Sequence, residues 1–330
     1  MITIKRYGEK DAAIWNQFNR ESKTSLFMFD RNYMDYHKDR FTDHSLLFFD
    51  EKDLISILPL TEQGDELISH GGLTYGGFLT NDKMKQHTMN DCFSALIDYS
   101  QKKGIKRIRY KQIPYIFYRQ PAEEDRYALF INNAKIERIE ASTVINLQNP
   151  LKMPKGRKAQ ISRAKREGVE IAELFEVTDY CSFIQLENNV LSEYHDTKAV
   201  HTGEELALLH SRFPENIHLF GAASKEGYLI AGAVVFEYDS VIHTQYMAAN
   251  AVAREIGALD LTIKYVMDKY QETKKWLDFG ISTEDGGRYL NHGLIAQKEG
   301  FGGRTVVYQT WVIDNCGKKA YERFLKQAIL

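Results

Sequence analysis

Short apolar runs joined by polar links recur along the chain and predict strands. Residues 45–49 and 54–60 are two such runs, joined by the polar link 50–53, which predicts a β-hairpin. A helical pattern over residues 82–103 and a strand-like run over 105–110 follow. The first half is therefore predicted to fold as a hairpin, a helix and a strand, in that order.

The second half shows the same order of patterns. Residues 217–223 and 228–236 predict another hairpin, 241–247 a third strand, 257–270 a helix and 275–279 a further strand. The distance from the hairpin to the strand after the helix is roughly fifty residues in both halves, which indicates an internal duplication. Chance agreement is the alternative, because this order is common among proteins that mix helices and strands.

A segment with two prolines and a glycine, residues 149–157, lies between the halves and predicts a linker. We therefore expect a first domain over 1–148 and a second over 149–330, with a helix at the end of the chain packing back on the first domain. The predicted fold class is α/β (α+β), in which each domain has a mixed, mostly antiparallel sheet flanked by helices.

Composition supports two ordinary globular cores, since 43% of the 330 residues are apolar and 12% are aromatic. No stretch approaches the roughly 20 apolar residues of a membrane span, and the beginning of the chain does not resemble a signal peptide, so a cytoplasmic location is expected. Cys92, Cys181 and Cys316 are far apart and lack metal-ligand spacing, which argues against a disulfide framework and a zinc site.

Basic residues are clustered although the net charge is only -2. Residues 152–166 hold seven of them, and residues 100–111 hold six with no acid. Either cluster is suited to phosphates of a tRNA, a coenzyme, or a lipid-linked or nucleotide-linked sugar. The alternative is a solvated helix face, which is the usual explanation of a run of charges.

Four segments together resemble the FemABX aminoacyl-transferases and their relatives among the GNAT-type N-acetyltransferases. The first is the glycine-rich Ser-His-Gly-Gly-Leu-Thr-Tyr-Gly-Gly of residues 69–77, and the second is the basic helix of 158–169. The other two are split, 245–249 with 256–258 and 278–280 with 298–303. The match spans nearly the whole chain.

This resemblance implies two tandem GNAT-like domains, the first with the acceptor channel and the second with the donor site. It implies direct attack of an amine on an activated acyl group, without a covalent enzyme intermediate, a metal or a tightly bound cofactor. The donor is an acyl-CoA or an aminoacyl-tRNA, and the sequence leaves that choice open. The acceptor is an amine of an amino sugar, a peptide or a cell-envelope precursor such as one of peptidoglycan. No DNA is expected as a partner, tRNA is one candidate partner, and the oligomeric state stays open.

Candidate site residues come from the matched segments and from the chemistry of their side chains. They are Lys298, Asp278 and Glu284 for catalysis; His70, Gly72, Tyr75, Gly76 and Arg163 for substrate binding; and Arg254, Gly257 and Ala258 for binding the donor. Tyr75 offers a hydroxyl and a flat apolar face, while His70 and Glu284 are of the residue types that accept a proton. Each has a structural alternative, such as a turn, a cap or a surface position.

Two departures from the family pattern bear on function. Leu259 occupies the last position of the turn that binds pyrophosphate in GNAT enzymes, where a small residue lets the phosphates approach the backbone. Lys111 stands at the end of a predicted strand where the peptidoglycan enzymes often carry an acid.

Two other functions are therefore kept as alternatives: a catalytically silent sugar- or peptide-binding protein with the double fold, and, less favoured, an RNA-binding module. Motifs of serine hydrolases, P-loop NTPases and zinc proteases do not occur.

Overall fold

The computed structural model describes residues 1–195 and 197–315. These fall into two compact units: a first unit of Met1–Glu140 together with the residues from Val307 onwards, and a second unit of Ala141–Val306. The helix expected at the end of the chain, and Cys316, lie outside the described residues. The chain leaves the first unit within one strand and returns within another, whereas the sequence pattern indicated one linker near residue 149.

The elements of the first unit run from strand β1 to strand β9, which continues into the second unit. They are β1 (Ile2–Arg6), α1 (Ala12–Glu21), α2 (Arg31–Met34), β2 (Thr42–Asp43), β3 (Leu46–Asp50), β4 (Asp53–Leu58), β5 (Thr61–Gln63), β6 (Glu66–Ile68), β7 (Leu79–Thr80), α3 (Gln86–Lys102), β8 (Arg107–Lys111), α4 (Glu124–Ile131) and β9 (Lys135–Asn146).

The elements of the second unit end with strand β17, which continues into the first unit. They are α5 (Lys155–Arg166), β10 (Glu170–Leu174), α6 (Val177–His195), α7 (Gly203–Arg212), β11 (Ile217–Ala223), β12 (Leu229–Glu237), β13 (Val241–Ala249), α8 (Ala251–Ile256), α9 (Ala258–Tyr270), β14 (Trp276–Ile281), β15 (Thr283–Glu284), β16 (Tyr289–Leu290), α10 (His292–Glu299) and β17 (Arg304–Asp314).

Two groups of strands build the first unit. One has the order β1-β3-β4-β7 and is antiparallel throughout. The other contains β2, β5, β6, β8 and β17, with only β6 and β8 parallel. Helix α3 turns Phe93 and Leu96 towards Ile108 and Tyr110 of β8, and these side chains form a buried core. The alternate residues of β8 consequently face away from that core.

The sheet of the second unit has the order β10-β11-β12-β13-β14-β9, and only β13 and β14 are parallel. Helix α9 packs Ile263 and Val266 against Phe220, Ile242 and Leu277 of this sheet. The predicted class, with mixed and mostly antiparallel sheets flanked by helices, is confirmed. Both predicted hairpins are present as β3–β4 and β11–β12.

Candidate functional site

Strands β13 and β14 pair over three positions only, from Val241 with Trp276 to His243 with Asp278. Beyond these positions β13 continues along β12, with a bulge opposite Val234 and Val235. Strand β14 continues through Gly280, whose φ of 71° is in the left-handed region. The two strands therefore stop pairing directly after His243 and Asp278, which places both side chains where the ladder ends.

His243 and Asp278 form a buried pair at this point, with His243 Nδ1 2.7 Å from Asp278 Oδ2. The carboxylate of Asp278 is fully buried and also accepts hydrogen bonds from Ser142 Oγ and, at 3.1 Å, from the amide of Gly280. Because the carboxylate fixes a proton on Nδ1, the neutral ring carries its lone pair on Nε2. Within residues 1–195 and 197–315 no hydrogen bond to that nitrogen is found. This arrangement is typical of a general base.

Lys298 lies on α10, a helix capped by Asn291, whose side chain accepts from the amide of Leu294 at 3.0 Å. The side chain of Lys298 is buried, and its Nζ donates to the carbonyls of Gly280 at 3.0 Å and Ile281 at 2.7 Å. Burial lowers the pKa of Lys298 to about 8, and the charge of Asp278 opposes that shift. Lys298 is thus a buried cation that holds the end of β14 beside Asp278.

Among the three predicted catalytic residues, the structure brings Lys298 and Asp278 together but places Glu284 differently. Glu284 is exposed on the short strand β15 and accepts a hydrogen bond from Asn291 Nδ2 at 2.8 Å. It therefore supports the residue that caps α10, and its role as a base stays a prediction without a supporting contact.

The turn between α8 and α9 contains two predicted donor-binding residues, Gly257 and Ala258, both buried. Gly257 has a φ of 81°, and a Cβ there would lie 2.7 Å from the carbonyl oxygen of Gln160 in α5. Glycine is therefore required by both backbone conformation and space. Leu259 is half-buried and packs against the apolar clusters on either side of α9, so its side chain has a place in the core.

Two predicted arginines lie beside this turn. Arg254 donates to the carbonyl of Ala249 at 2.8 Å. Arg163 of α5 forms an ion pair with Glu255 at 3.0 Å and also donates to the carbonyl of Glu255. The structure thus gathers Arg163, Arg254 and Gly257 at the start of α9, where a helix N-terminus attracts negative charge.

In the first unit, His70 has a φ of 50° and is buried in the glycine-rich segment. Burial, with repulsion from His37 and Lys111, lowers the pKa of His70 to about 3. A neutral imidazole of such low basicity is a poor proton acceptor near neutral pH. This environment supports a structural role, and proton transfer by His70 stays a prediction.

The other predicted residues of this segment serve close packing. Tyr75 is 2% exposed, and its ring packs against Phe117 and Tyr308 with ring centroids 4.9 and 5.6 Å apart. A Cβ at Gly72 would lie 2.6 Å from the ring of Phe41, and a Cβ at Gly76 would lie 2.6 Å from the carbonyl oxygen of Ser69. These glycines let neighbouring groups approach the backbone, and a role in binding the acceptor stays a prediction.

Sequence reasoning missed Glu187 on α6. Its side chain is 8% exposed, and its Oε2 has no hydrogen-bond partner among the described residues. Burial alone raises the pKa of Glu187 to about 7. The charge of Glu187 contributes to a raised pKa of Tyr246, whose hydroxyl lies 2.7 Å from His201 Nδ1. The sequence of an amphipathic helix does not indicate that a single acidic side chain on it is buried.

Sequence reasoning also missed His243, because a single histidine inside the apolar run of β13 has no motif around it. Its pairing with Asp278 depends on the parallel register of β13 and β14, which no local pattern encodes. Neither a group of three or more potential metal ligands nor a helix suited to crossing a membrane occurs in the described part of the chain.

The sequence matches no family model and no curated protein. Solved structures nevertheless share its fold. FemX aligns with a TM-score of 0.67 and 10% identity over 97% of this chain and 99% of FemX. L-PGS from Bacillus licheniformis aligns with a TM-score of 0.64 and 12% identity over 97% and 96% of the two chains.

A tandem GNAT protein from the clavulanic acid biosynthesis pathway aligns with a TM-score of 0.54 and 10% identity, over 96% of this chain and 100% of that protein. These alignments cover almost the whole of each chain. The described chain therefore has the FemABX and tandem GNAT fold, which confirms the fold that the four sequence segments implied.

Proposed function

We propose that this protein is an N-acyltransferase, which moves an acyl or aminoacyl group from an activated donor to an amine of an amino sugar, a peptide or a cell-envelope precursor. The observation that carries the proposal is the end of the β13–β14 ladder, where a histidine–aspartate pair and a buried lysine meet. The fold shared with FemX and with the tandem GNAT protein supports the same class of reaction.

In the proposed reaction, the amine nitrogen attacks the carbonyl carbon of the donor and forms a C–N bond. Nε2 of His243 takes the proton that the attacking amine loses, while Asp278 stabilises the resulting imidazolium. The acyl C–O or C–S bond then breaks, and the leaving oxygen or sulfur takes the bonding electron pair. Transfer is direct, so no enzyme nucleophile is acylated.

Lys298 is proposed to stabilise the negative charge that develops on the carbonyl oxygen. Two of its three N–H groups are bound to the carbonyls of Gly280 and Ile281, which leaves a third for a ligand. A fixed cation in a buried setting stabilises such charge more effectively than a solvated one.

The donor is proposed to place an anionic group at the start of α9, near Gly257, Arg254 and Arg163. An acyl-CoA carries a pyrophosphate and an aminoacyl-tRNA carries a terminal phosphodiester, so both donors fit this chemistry.

The test offers acetyl-CoA, longer acyl-CoAs and aminoacyl-tRNA to the purified protein with a panel of amines, and detects N-acylated products by mass spectrometry. His243→Gln is expected to lower kcat by about 10²- to 10⁴-fold, since a general base contributes that much. His87→Gln, which alters an exposed histidine of α3, is the matched control and is expected to behave like the unaltered protein. Ligand binding without transfer to any amine would favour the silent binding protein, and full activity of His243→Gln would place the base elsewhere.

A further inference from the structure

Helix α6 carries an acid at a position where an amphipathic helix normally has an apolar side chain. Its buried stripe consists of Tyr180, Phe183, Ile184 and Glu187, spaced three and four residues apart. Residues with this spacing lie on one face of a helix. The side chain of Glu187 is therefore on the face that α6 turns towards the sheet of the second unit.

Glu187 has no counter-charge in this position. Only 8% of it is exposed, and its Oε2 has no hydrogen-bond partner among the described residues. Among the described side chains, no Lys, Arg or His nitrogen lies within 4.0 Å of its carboxylate. Glu193, by contrast, is exposed on the same helix and pairs with Arg254 at 3.6 Å. A carboxylate removed from water without a counter-ion is unfavourable, and a bound cation supplies the missing charge.

The face of the sheet that α6 covers is identified by Gly232 of β12. A Cβ at Gly232 would lie 3.0 Å from the ring of Phe183, so α6 packs directly on this position. Side chains alternate along a strand, and Gly232, Val234 and Phe236 therefore share one face. Helix α6 covers the face that bears Val234 and Phe236.

A bulge in β13 brings His243 and Tyr246 onto this same face. Phe236 is opposite His243 and Val234 is opposite Tyr246, and residues opposite each other in a ladder share a face. Gln245 is the extra residue of the bulge, without which positions three apart would face opposite sides. Because their partners are two residues apart, Tyr246 lies about 7 Å along the sheet from His243.

This part of β13 is also where the strand becomes accessible. Gln245, Tyr246 and Met247 are half-buried, whereas the residues on either side of them in β13 are buried. The hydroxyl of Tyr246 lies 2.7 Å from Nδ1 of His201, and the two rings meet edge to face with centroids 5.9 Å apart. The charge of Glu187 contributes to a raised pKa of Tyr246, as expected of neighbouring groups. A buried carboxylate and a partly accessible aromatic ring therefore lie near the proposed base.

We propose that Glu187, with Tyr246 beside it, binds an ammonium group of a substrate next to the His243–Asp278 pair. A carboxylate neutralises such a cation, and the face of an aromatic ring attracts it. The ammonium has two sources in the proposed reaction: the amino group of an aminoacyl donor and that of the acceptor. Assignment to either source rests on the proposed function, whereas binding of the ammonium does not.

Ligand-observed NMR titrations of the full-length protein at pH 7, where amines of this class are mostly protonated, test the proposal. L-Alaninamide represents the aminoacyl group, and D-glucosamine represents an amine acceptor. Their matched controls are N-acetyl-L-alaninamide and N-acetyl-D-glucosamine, which lack the charge. At least one amine is expected to bind about tenfold or more tightly than its acetylated counterpart. This comparison uses the wild-type protein alone, so it does not depend on the folding of a variant.

Glu187→Gln keeps the size of the side chain and removes its charge. It is expected to weaken binding of that amine by about tenfold or more and to leave binding of the acetylated counterpart unchanged. Glu176→Gln, which alters an exposed acid just before α6, is the matched control and should bind like the wild type. Binding of neither amine, no preference over the acetylated compounds, or equal binding by Glu187→Gln would each overturn the proposal.

The amine that binds identifies the source of the ammonium. If it is L-alaninamide, Glu187→Gln should lower kcat/KM for aminoacyl-tRNA about tenfold; if it is D-glucosamine, it should raise KM for the amine acceptor to a similar extent. Binding that depends on Glu187, without acyl transfer to any amine, would count against the proposed function only. Acyl transfer by a protein in which Glu187→Gln changes neither binding nor these constants would count against this site only.

Discussion

Buried ionisable side chains of the second unit differ in how they are satisfied. Asp278 accepts hydrogen bonds from His243, Ser142 and Gly280, so its burial is compensated. Glu187 has an oxygen without any partner among the described residues. Groups that are buried at the expense of stability are concentrated at functional sites, which marks Glu187 for attention.

Lys298 is expected to give the rate a dependence on pH. Below its pKa of about 8 the side chain is an ammonium, and above it the cation that stabilises the reacting oxygen is lost. The rate of acyl transfer should therefore fall as the pH rises through 8. Lys298→Met should lower kcat by about a hundredfold and remove this decline, because one donor to a developing oxyanion contributes that much.

Lys264→Met is the control for Lys298→Met, since Lys264 is on the surface of α9 and pairs with Asp268. It should leave both the rate and its pH profile unchanged. A wild-type rate that stays level from pH 7 to 9 would contradict a role for the ammonium of Lys298.

Glu187→Gln is expected to stabilise the protein at high pH. The folded-state pKa of about 7 exceeds the ordinary value of 4.5, so the carboxyl contributes stability that is complete below 4.5 and is lost as the pH rises through 7. Replacing it by an uncharged amide should increase the free energy of unfolding by about 1 to 3 kcal/mol at pH 8, with little change at pH 4.5.

Urea unfolding of the wild type and Glu187→Gln at both pH values measures this difference. Glu176→Gln, an exposed acid just before α6, provides the comparison and should have no effect. Lower stability of Glu187→Gln at pH 8 would mean that the carboxylate has favourable partners in the folded state.

Sequence reasoning selected Lys298 and Asp278 as candidates because each lies in a glycine-containing segment that resembles the family pattern. It did not identify His243 or Ser142, because both contact Asp278, which is distant from them in sequence, nor Glu187, because the sequence around it does not reveal that its carboxyl is buried. Tyr75 illustrates the opposite difficulty: an aromatic residue in a glycine-rich loop resembles a binding residue, yet the ring is buried against other aromatic rings.

At the scale of elements, the junction of α8 and α9 shows how a backbone conformation fixes a site. Gly257 ends one helix and begins the next, with its left-handed φ turning the chain between them. The carbonyl of Gln160 occupies the space where a side chain would be.

Local patterns predicted α9 and the hairpins well, since each has its own apolar periodicity. The parallel pairing of β13 with β14 joins segments separated by two helices, and no local pattern predicts it.

Gly257→Ala is expected to reduce the free energy of unfolding by about 1 to 3 kcal/mol, through backbone strain and contact with α5. Gly156→Ala is the matched substitution, because Gly156 is helical and has open space around its Cα. That change should be neutral or stabilise by up to about 1 kcal/mol. Chemical denaturation of both variants checks the contrast, and equal effects at the two positions would refute it.

At the scale of the molecule, two strands determine where the chain can be divided. Residues 141–146 of β9 pair with β14 inside the second unit, and Ile145 belongs to its core. Residues 310–314 of β17 pair with β8 inside the first unit. The segment near residue 149, whose composition is typical of a linker, therefore lies inside the second unit.

A fragment of residues 149–330 is therefore expected to fold poorly, because it lacks the strand next to β14. A fragment of residues 135–306 retains that strand and should show more secondary structure and a cooperative transition. Circular dichroism and urea unfolding of the two fragments distinguish them. A cooperative transition of equal stability in both would show that β9 is dispensable for the second unit.

The return of the chain through β17 also has a consequence for synthesis on the ribosome. Strand β8 emerges early, but β17, the strand that pairs with one of its edges, is made only after the elements of the second unit. The second unit is complete first, which reverses the usual N-terminal-first order of domain folding. Meanwhile β8 presents Arg107, Arg109 and Lys111, and such basic side chains discourage a waiting edge from pairing with a neighbouring nascent chain.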